Sequence, residues 1–277
     1  MKKITFLLVC LVFGIQLSWA GFPIGKGRSV IIPGYNYYHA NGYWDGKRAY
    51  SDYPTGNFSS HYFSIYGGYG LSRRWNFLYS LPFVVQVDNN TQGNKKRLTT
   101  AGFGDAMVGL SYFFNDFDAN NHVSLTGLLY FPLYSNPLKP NPIIGFQSLA
   151  GELKLGFSGS ATGSLRNPYY DIEFGVRQYF NTEGPFQVFA NITGGVPLSD
   201  DWKVSGTISG INSLSSAISS TQVFYNYNKD FDYVRIAANA GKVINDNVSI
   251  WGGIYTDITG RSVGRGSGLS LSAVIKF

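Results

Sequence analysis

Charge is scarce in this sequence and cysteine nearly missing. Charged residues make up 14% of the 277-residue chain, against about 25% in an ordinary soluble domain. The single cysteine, Cys10, sits inside an apolar stretch at the N-terminus. A chain that loses this stretch has no thiol for a disulfide, a thiolate metal site or a cysteine nucleophile. Beyond it, no apolar run approaches the roughly 18 residues that a membrane-spanning helix needs. Mean hydropathy near zero also argues against a helical membrane protein. No linker, low-complexity tract or heptad run marks a domain boundary. What is abundant is aromatic side chains, at 17%, and glycine, with 34 residues. Low charge, many aromatics and no spanning helix fit a closed β-barrel, whose strands alternate lipid-facing and lumen-facing side chains and so dilute the mean hydropathy.

The N-terminus reads as a targeting segment. Lys2 and Lys3 form a basic start, residues 4–17 an apolar stretch, and Ser18-Trp19-Ala20 a small-residue boundary. Cleavage is expected after Ala20, which divides the chain into a signal peptide (1–20) and a single barrel domain (21–277). Cys10 lacks the preceding small residues of a lipoprotein signal, so acylation is not expected. The formal charge of +6 includes two lysines of this segment. The remaining basic residues are scattered, and an exported chain rarely meets DNA, so no nucleic-acid partner is expected.

Twelve strand-like units recur, each a strand of roughly ten residues plus a connection. They cover 29–42, 57–70, 75–88, 101–114, 121–134, 147–158, 168–180, 185–197, 202–214, 231–243, 247–259 and 266–277. The fold class is therefore an all-β, transmembrane, antiparallel up-and-down β-barrel of about twelve strands. Period two is clear in several of them. In the last, Leu269, Leu271, Ala273, Ile275 and Phe277 share one face, and Ser270, Ser272, Val274 and Lys276 the other. Connections alternate between short (71–74, 115–120, 198–201, 244–246) and long (43–56, 89–100, 135–146, 215–230), as periplasmic turns and external loops do. Two break the pattern: 181–184 is short where a long loop is due, and 159–167 is long where a turn is due. Ten or fourteen strands therefore remain open.

A lipid-facing Arg or Lys at mid-bilayer costs about 2–4 kcal/mol, so charged faces must line the lumen. Glu152 and Lys154 share one strand face, and Asp171, Glu173 and Arg177 share a face of the next. Charges taken out of water are normally paired, so an ion-pair network is expected, with Arg235 and Lys276 extending it. It reads equally as a filter or as filling that stiffens a narrow barrel. Asp105 is expected to point inward near the outer mouth, either as a constriction carboxylate or hydrogen-bonded to a loop. If Gly42 opposes Phe58 in the first hairpin, His39 opposes His61 near Ser59 and Ser60. That would give a metal half-site or a hydrolase fragment without an orienting acid; histidines at the membrane interface are the plainer reading. His122 begins a strand at the periplasmic side. Lys95-Lys96-Arg97 suits lipopolysaccharide phosphates or simply a solvated loop.

Phe277, with Ile275 and Ala273 at alternate positions behind it, is similar to the terminal signal read by the outer-membrane barrel assembly machinery. The stretches 66–74 (YGGYGLSRR), 75–83 (WNFLYSLPF) and 102–114 (GFGDAMVGLSYFF), with the Asp45-Gly46-Lys47 loop, resemble the outer-membrane transporter-like family of the phenol meta-degradation pathway. The resemblance covers about residues 25–114. It implies a barrel that passes hydrophobic or aromatic compounds and supplies no catalytic residues. The expectation is an outer-membrane channel with a narrow lumen for a small-molecule solute. It needs no cofactor or metal, and its partners are outer-membrane lipid and lipopolysaccharide. A lipid hydrolase and a structural or adhesive surface barrel are the alternatives.

Overall fold

The computed structural model describes all residues except 1–20, 54–55, 90–96, 116–119, 138–140, 162–166, 182–183 and 216–227. Fourteen strands follow one another: β1 (Ser29–Trp44), β2 (Tyr50–Asp52), β3 (Phe58–Gly70), β4 (Trp75–Asp88), β5 (Leu98–Phe103), β6 (Asp105–Phe113) and β7 (Asn121–Pro132), then β8 (Ala150–Ser160), β9 (Tyr169–Tyr179), β10 (Phe186–Pro197), β11 (Trp202–Leu214), β12 (Phe231–Asn245), β13 (Val248–Arg261) and β14 (Val263–Lys276). Sequential antiparallel neighbours pair around the sheet, and β14 pairs back onto β1. The wall is closed, and among the described strands only the short β2 and β5 at its loop end pair on one side alone.

Twelve positions make up the wall. β5 and β6 occupy a single position, interrupted at Gly104: β5 pairs with the upper half of β4 and β6 with its lower half. β2 is a three-residue strand folded onto the end of β1. The count of twelve expected from the sequence therefore stands. The two connections that broke the alternation, expected at 159–167 and 181–184, run over 161–168 and 180–185 and neither add nor remove a strand.

The burial pattern is the reverse of a soluble protein's. Outward positions carry exposed apolar side chains on strand after strand, among them Ile65, Leu110, Leu153, Phe174, Ile254 and Leu271. An apolar surface this continuous far exceeds the few hundred Å² that a soluble monomer exposes, and it suits a bilayer. Inward positions are buried and largely polar, as Asn76, Ser111, Thr126, Gln187, Thr207 and Ser213 show. Thr126 donates to Ser111 across the β6–β7 pair at 2.8 Å. Aromatic side chains gather outside near both ends of the wall. Trp75, Tyr112 and Phe114 pack tilted and edge-on at the short-turn end, and Tyr35, Tyr37 and Phe63 cluster toward the long-loop end. Such belts mark the two membrane–water interfaces.

Inside, several aromatic rings lie flat over a glycine on the neighbouring strand. Trp251 covers its cross-strand partner Gly241, and Tyr255 covers Gly268. A Cβ at Gly241 would meet the indole of Trp251. Part of the high glycine content therefore makes room for inward rings that a pleated wall cannot otherwise accommodate.

Candidate functional site

The lumen is the candidate site, and its charged wall is built by β7 to β10. Glu152 on β8 is directly opposite Arg177 on β9. The Arg177 Nε donates to Glu152 Oε2 at 2.7 Å. Tyr130 on β7 completes the group: its hydroxyl donates to Glu152 at 3.0 Å, and the guanidinium lies 4.2 Å from its ring centre. Lys154 pairs with Glu173 at 3.1 Å, and Asn191 on β10 donates to the other oxygen of that carboxylate at 3.5 Å. The Glu152 and Glu173 side chains are only 2% and 6% exposed, so these are desolvated pairs rather than surface ones. Asp171 is also buried on the same face, beside Ser158.

Arg235 does not extend this network. It forms a second cluster on the other side of the barrel, where Nε and Nη2 grip Asp257 on β13 at 2.7 and 3.2 Å. The rings of Tyr255, Tyr233 and Tyr38 surround its guanidinium at 4.5 to 5.5 Å. Sequence reasoning missed Asp257, although it is the only acidic residue of β13 and has the parity of Trp251 and Tyr255. Lys276 lies at the turn end, within the electrostatic reach of Lys203. At the loop end Arg261 bridges Asp230 and Asp232, and Arg48 joins Asp232 at 2.8 Å.

Asp105 faces inward at the break between β5 and β6, next to Tyr134 of the following loop. The Tyr134 hydroxyl accepts the Gln147 N–H at 2.9 Å. Burial pushes that hydroxyl above its ordinary range, and the nearby Asp105 carboxylate adds to the shift. The two side chains thus stand within electrostatic reach of one another. This contact ties the loop after β7 to the barrel wall.

The histidine pairing does not form. Ala40, not Gly42, opposes Phe58, so His39 faces Ser59 and His61 faces Tyr37. Both histidines lie on the outward face, in the aromatic belt, where the Tyr35 hydroxyl is 2.9 Å from His61 Nδ1. Among the described residues no group of three His, Cys, Asp or Glu could hold a metal. Lys95 and Lys96 lie outside the described residues, as does the Ser18-Trp19-Ala20 boundary.

The largest feature absent from the sequence reading is the segment before β1. Residues 21–28 turn into the barrel at its turn end. Gly25 and Gly27 adopt φ of 94° and 74°, open to glycine but rarely to other residues. Gly27 donates to the Gly70 carbonyl at 2.8 Å, and the Ile24 N–H reaches Asn76 Oδ1 at 3.4 Å. Ile24 packs on Val30, Ile32, Trp251 and Val274 on one side and on Leu78, Met107 and Leu128 on the other, with Tyr66 touching both groups. Phe22 meets His122 edge-on, and His122 meets Phe113 the same way. The glycines of the 66–70 motif acquire a reason here: a Cβ at Gly68 would strike Ile24 and one at Gly70 would strike the backbone of Gly25.

No family model matches the chain, and no curated protein matches it. Among solved structures it is similar to an outer membrane channel from Pseudomonas putida F1, at 10% identity and a TM-score of 0.75, over 95% of this chain and 100% of that one. It is also similar to the NanC porin, at 8% identity and a TM-score of 0.53, over 89% of this chain and 98% of that one. The fold is that of an outer-membrane β-barrel. Within it, Ile24 and Tyr66 pack together inside the turn end, and the ion-paired wall and the tyrosine rings stand above them.

Proposed function

We propose that this barrel is an outer-membrane channel with a narrow lumen for small solutes of hydrophobic or aromatic character. One observation carries the reading: on an otherwise polar inward face, apolar and aromatic side chains gather at the turn end and around the two arginines. A solute entering from the loop end meets the rings of Tyr38, Tyr255 and Tyr130, and then the apolar cuff of Leu78, Met107, Leu128 and Trp251. Twelve strands fall between eight-stranded barrels, filled by side chains, and the open channels of 16 to 18 strands. The resemblance of residues 25–114 to the phenol-pathway transporter family supports the same class of solute. The similarity to a barrel described as an outer membrane channel supports conduction as the task.

The test is liposome swelling and planar-bilayer conductance with a panel of solutes. Single-ring aromatic compounds should enter liposomes faster than disaccharides, and the ion conductance should be small. Rapid disaccharide entry with a large, steady conductance would instead make the barrel a general porin.

Export by cleavage after Ala20, residence in the outer membrane and recognition by the barrel assembly machinery belong to the same proposal. Phe277 has a physical part in it. Its N–H donates to the Ser29 carbonyl at 3.0 Å, its carbonyl accepts from Ser29 at 3.1 Å, and its outward ring is 69% exposed. It therefore fastens the seam between β14 and β1. Deleting Phe277 should leave export intact and lower the yield of heat-modifiable, folded barrel severalfold. A normal yield would remove the assembly role.

A further inference from the structure

We propose that Arg235 and the tyrosines around it form a binding site for the carboxylate of small aromatic acids inside the lumen. The inference deepens the channel reading, on which it rests, by naming the class of solute.

The inner ion pairs turn their cations toward the open lumen. Arg235 is 23% exposed, whereas its Asp257 partner is 3% exposed. Arg177 and Glu152 show the same asymmetry, and Lys154 and Glu173 a weaker one. Asp171 is buried as well. Asp105 is partly exposed, and it stands on β6, opposite β12 in the twelve-position wall. A solute beside Arg235 therefore touches guanidinium N–H groups, while the neutralising carboxylate lies behind them. A pair turned this way attracts an anion at contact although its net charge is zero, because the cation is the nearer charge.

The Arg235 cluster also has the free donors and the fixed rings that such a solute needs. Asp257 takes the Nε and Nη2 edge, and among the described residues Nη1 has no partner. Its two N–H groups remain for an acceptor, and a carboxylate bonds them most strongly. The rings of Tyr255, Tyr233 and Tyr38 flank the guanidinium. Tyr38 and Tyr255 donate their hydroxyls to the carbonyls of Gly264 and Tyr37, at 3.0 and 3.1 Å, which pins both rings. Rings held beside a cation suit a planar aromatic group joined to a carboxylate. Arg177 has no such opening, since Glu152, Tyr130 and Tyr179 share its donors.

The experiment measures binding to the protein purified from outer membranes and held in lipid nanodiscs, at neutral pH, where a free carboxyl is ionised. Benzoate, benzyl alcohol and acetate are the probes, and empty nanodiscs supply the blank. Benzoate should bind the parent about tenfold more tightly than either of the others, a difference of about 1.4 kcal/mol. Arg235→Met alone would strand Asp257, so it is combined with Asp257→Asn, and heat-modifiable migration confirms folding. The double variant should lose the preference for benzoate over benzyl alcohol. Tyr233→Leu should keep that preference and narrow the gap between benzoate and acetate; a gap left unchanged overturns the aromatic half of the site. Equal affinity for benzoate and benzyl alcohol in the parent overturns the site, as does unchanged benzoate binding in the folded double variant. Liposome entry judges the channel separately. Entry of benzyl alcohol without any binding preference for benzoate keeps the channel and overturns the site, whereas exclusion of both aromatic probes overturns the channel.

Discussion

Replacing Arg177 by methionine should destabilise the barrel by about 3 kcal/mol, the lower end of the range for removing one member of a buried ion pair. The guanidinium is about a quarter exposed while its Glu152 partner is 2% exposed. The loss therefore lies mainly in the stranded carboxylate and the Tyr130 hydroxyl that shares it. The lumen also gains a net negative charge, so the reversal potential in a salt gradient should move toward cation preference. Combining Arg177→Met with Glu152→Gln removes the stranded charge. It should recover more than half of the lost stability and return the reversal potential toward the parent value. Denaturant titration and bilayer recording measure both. A double variant as unstable as the single one would show that the pair is not what supports this wall.

Removing residues 22–25 should raise single-channel conductance severalfold, because this deletes the inner segment that packs against two apolar groups at the turn end. Ile24 touches both apolar groups there, and burying such a side chain contributes about 1.5–3 kcal/mol. The milder Ile24→Ser change should therefore give frequent brief openings rather than a steady open state. Conductance unchanged by the deletion would place the path for ions elsewhere.

Most of the wall was legible in the sequence because a one-residue error in a half-buried strand turns every side chain to the wrong face. Strands β4 and β11 begin and end where the alternation of 75–88 and 202–214 begins and ends. The expected strand 101–114 was read as unbroken, whereas Gly104 divides it and its first part reaches back to Leu98. The histidine register failed for a local reason. Gly42 to Trp44 pair with β2, a strand too short to show a period, and β3 starts opposite Ala40.

At the site, parity alone placed Glu152, Lys154, Asp171, Glu173 and Arg177 on one side of the wall. Parity says nothing about which partners meet. Arg177 meets Glu152 on the neighbouring strand rather than Glu173 four residues away on its own. The inner segment was illegible because eight residues with two turn glycines have no period. Its only sequence trace was apolar Phe22 and Ile24 immediately after the expected cleavage point.

The charges on β8 and β9 also bear on how this hairpin finds its alignment. Its connection, 161–168, is too long for turn geometry to set the pairing as a two-residue loop does. In the native alignment Glu152 opposes Arg177 and Ser158 opposes Asp171. A slip of two residues in one direction sets Lys154 directly against Arg177, two like charges across a strand pair. A slip in the other direction moves Arg177 opposite Ala150 and off Glu152, while setting Lys154 directly against Glu173. Both slips keep the apolar face toward lipid, so the bilayer cannot reject them. The charged side of the hairpin rejects the first of them, and so acts as a proofreading code against that misalignment where neither the loop nor the membrane distinguishes right from wrong.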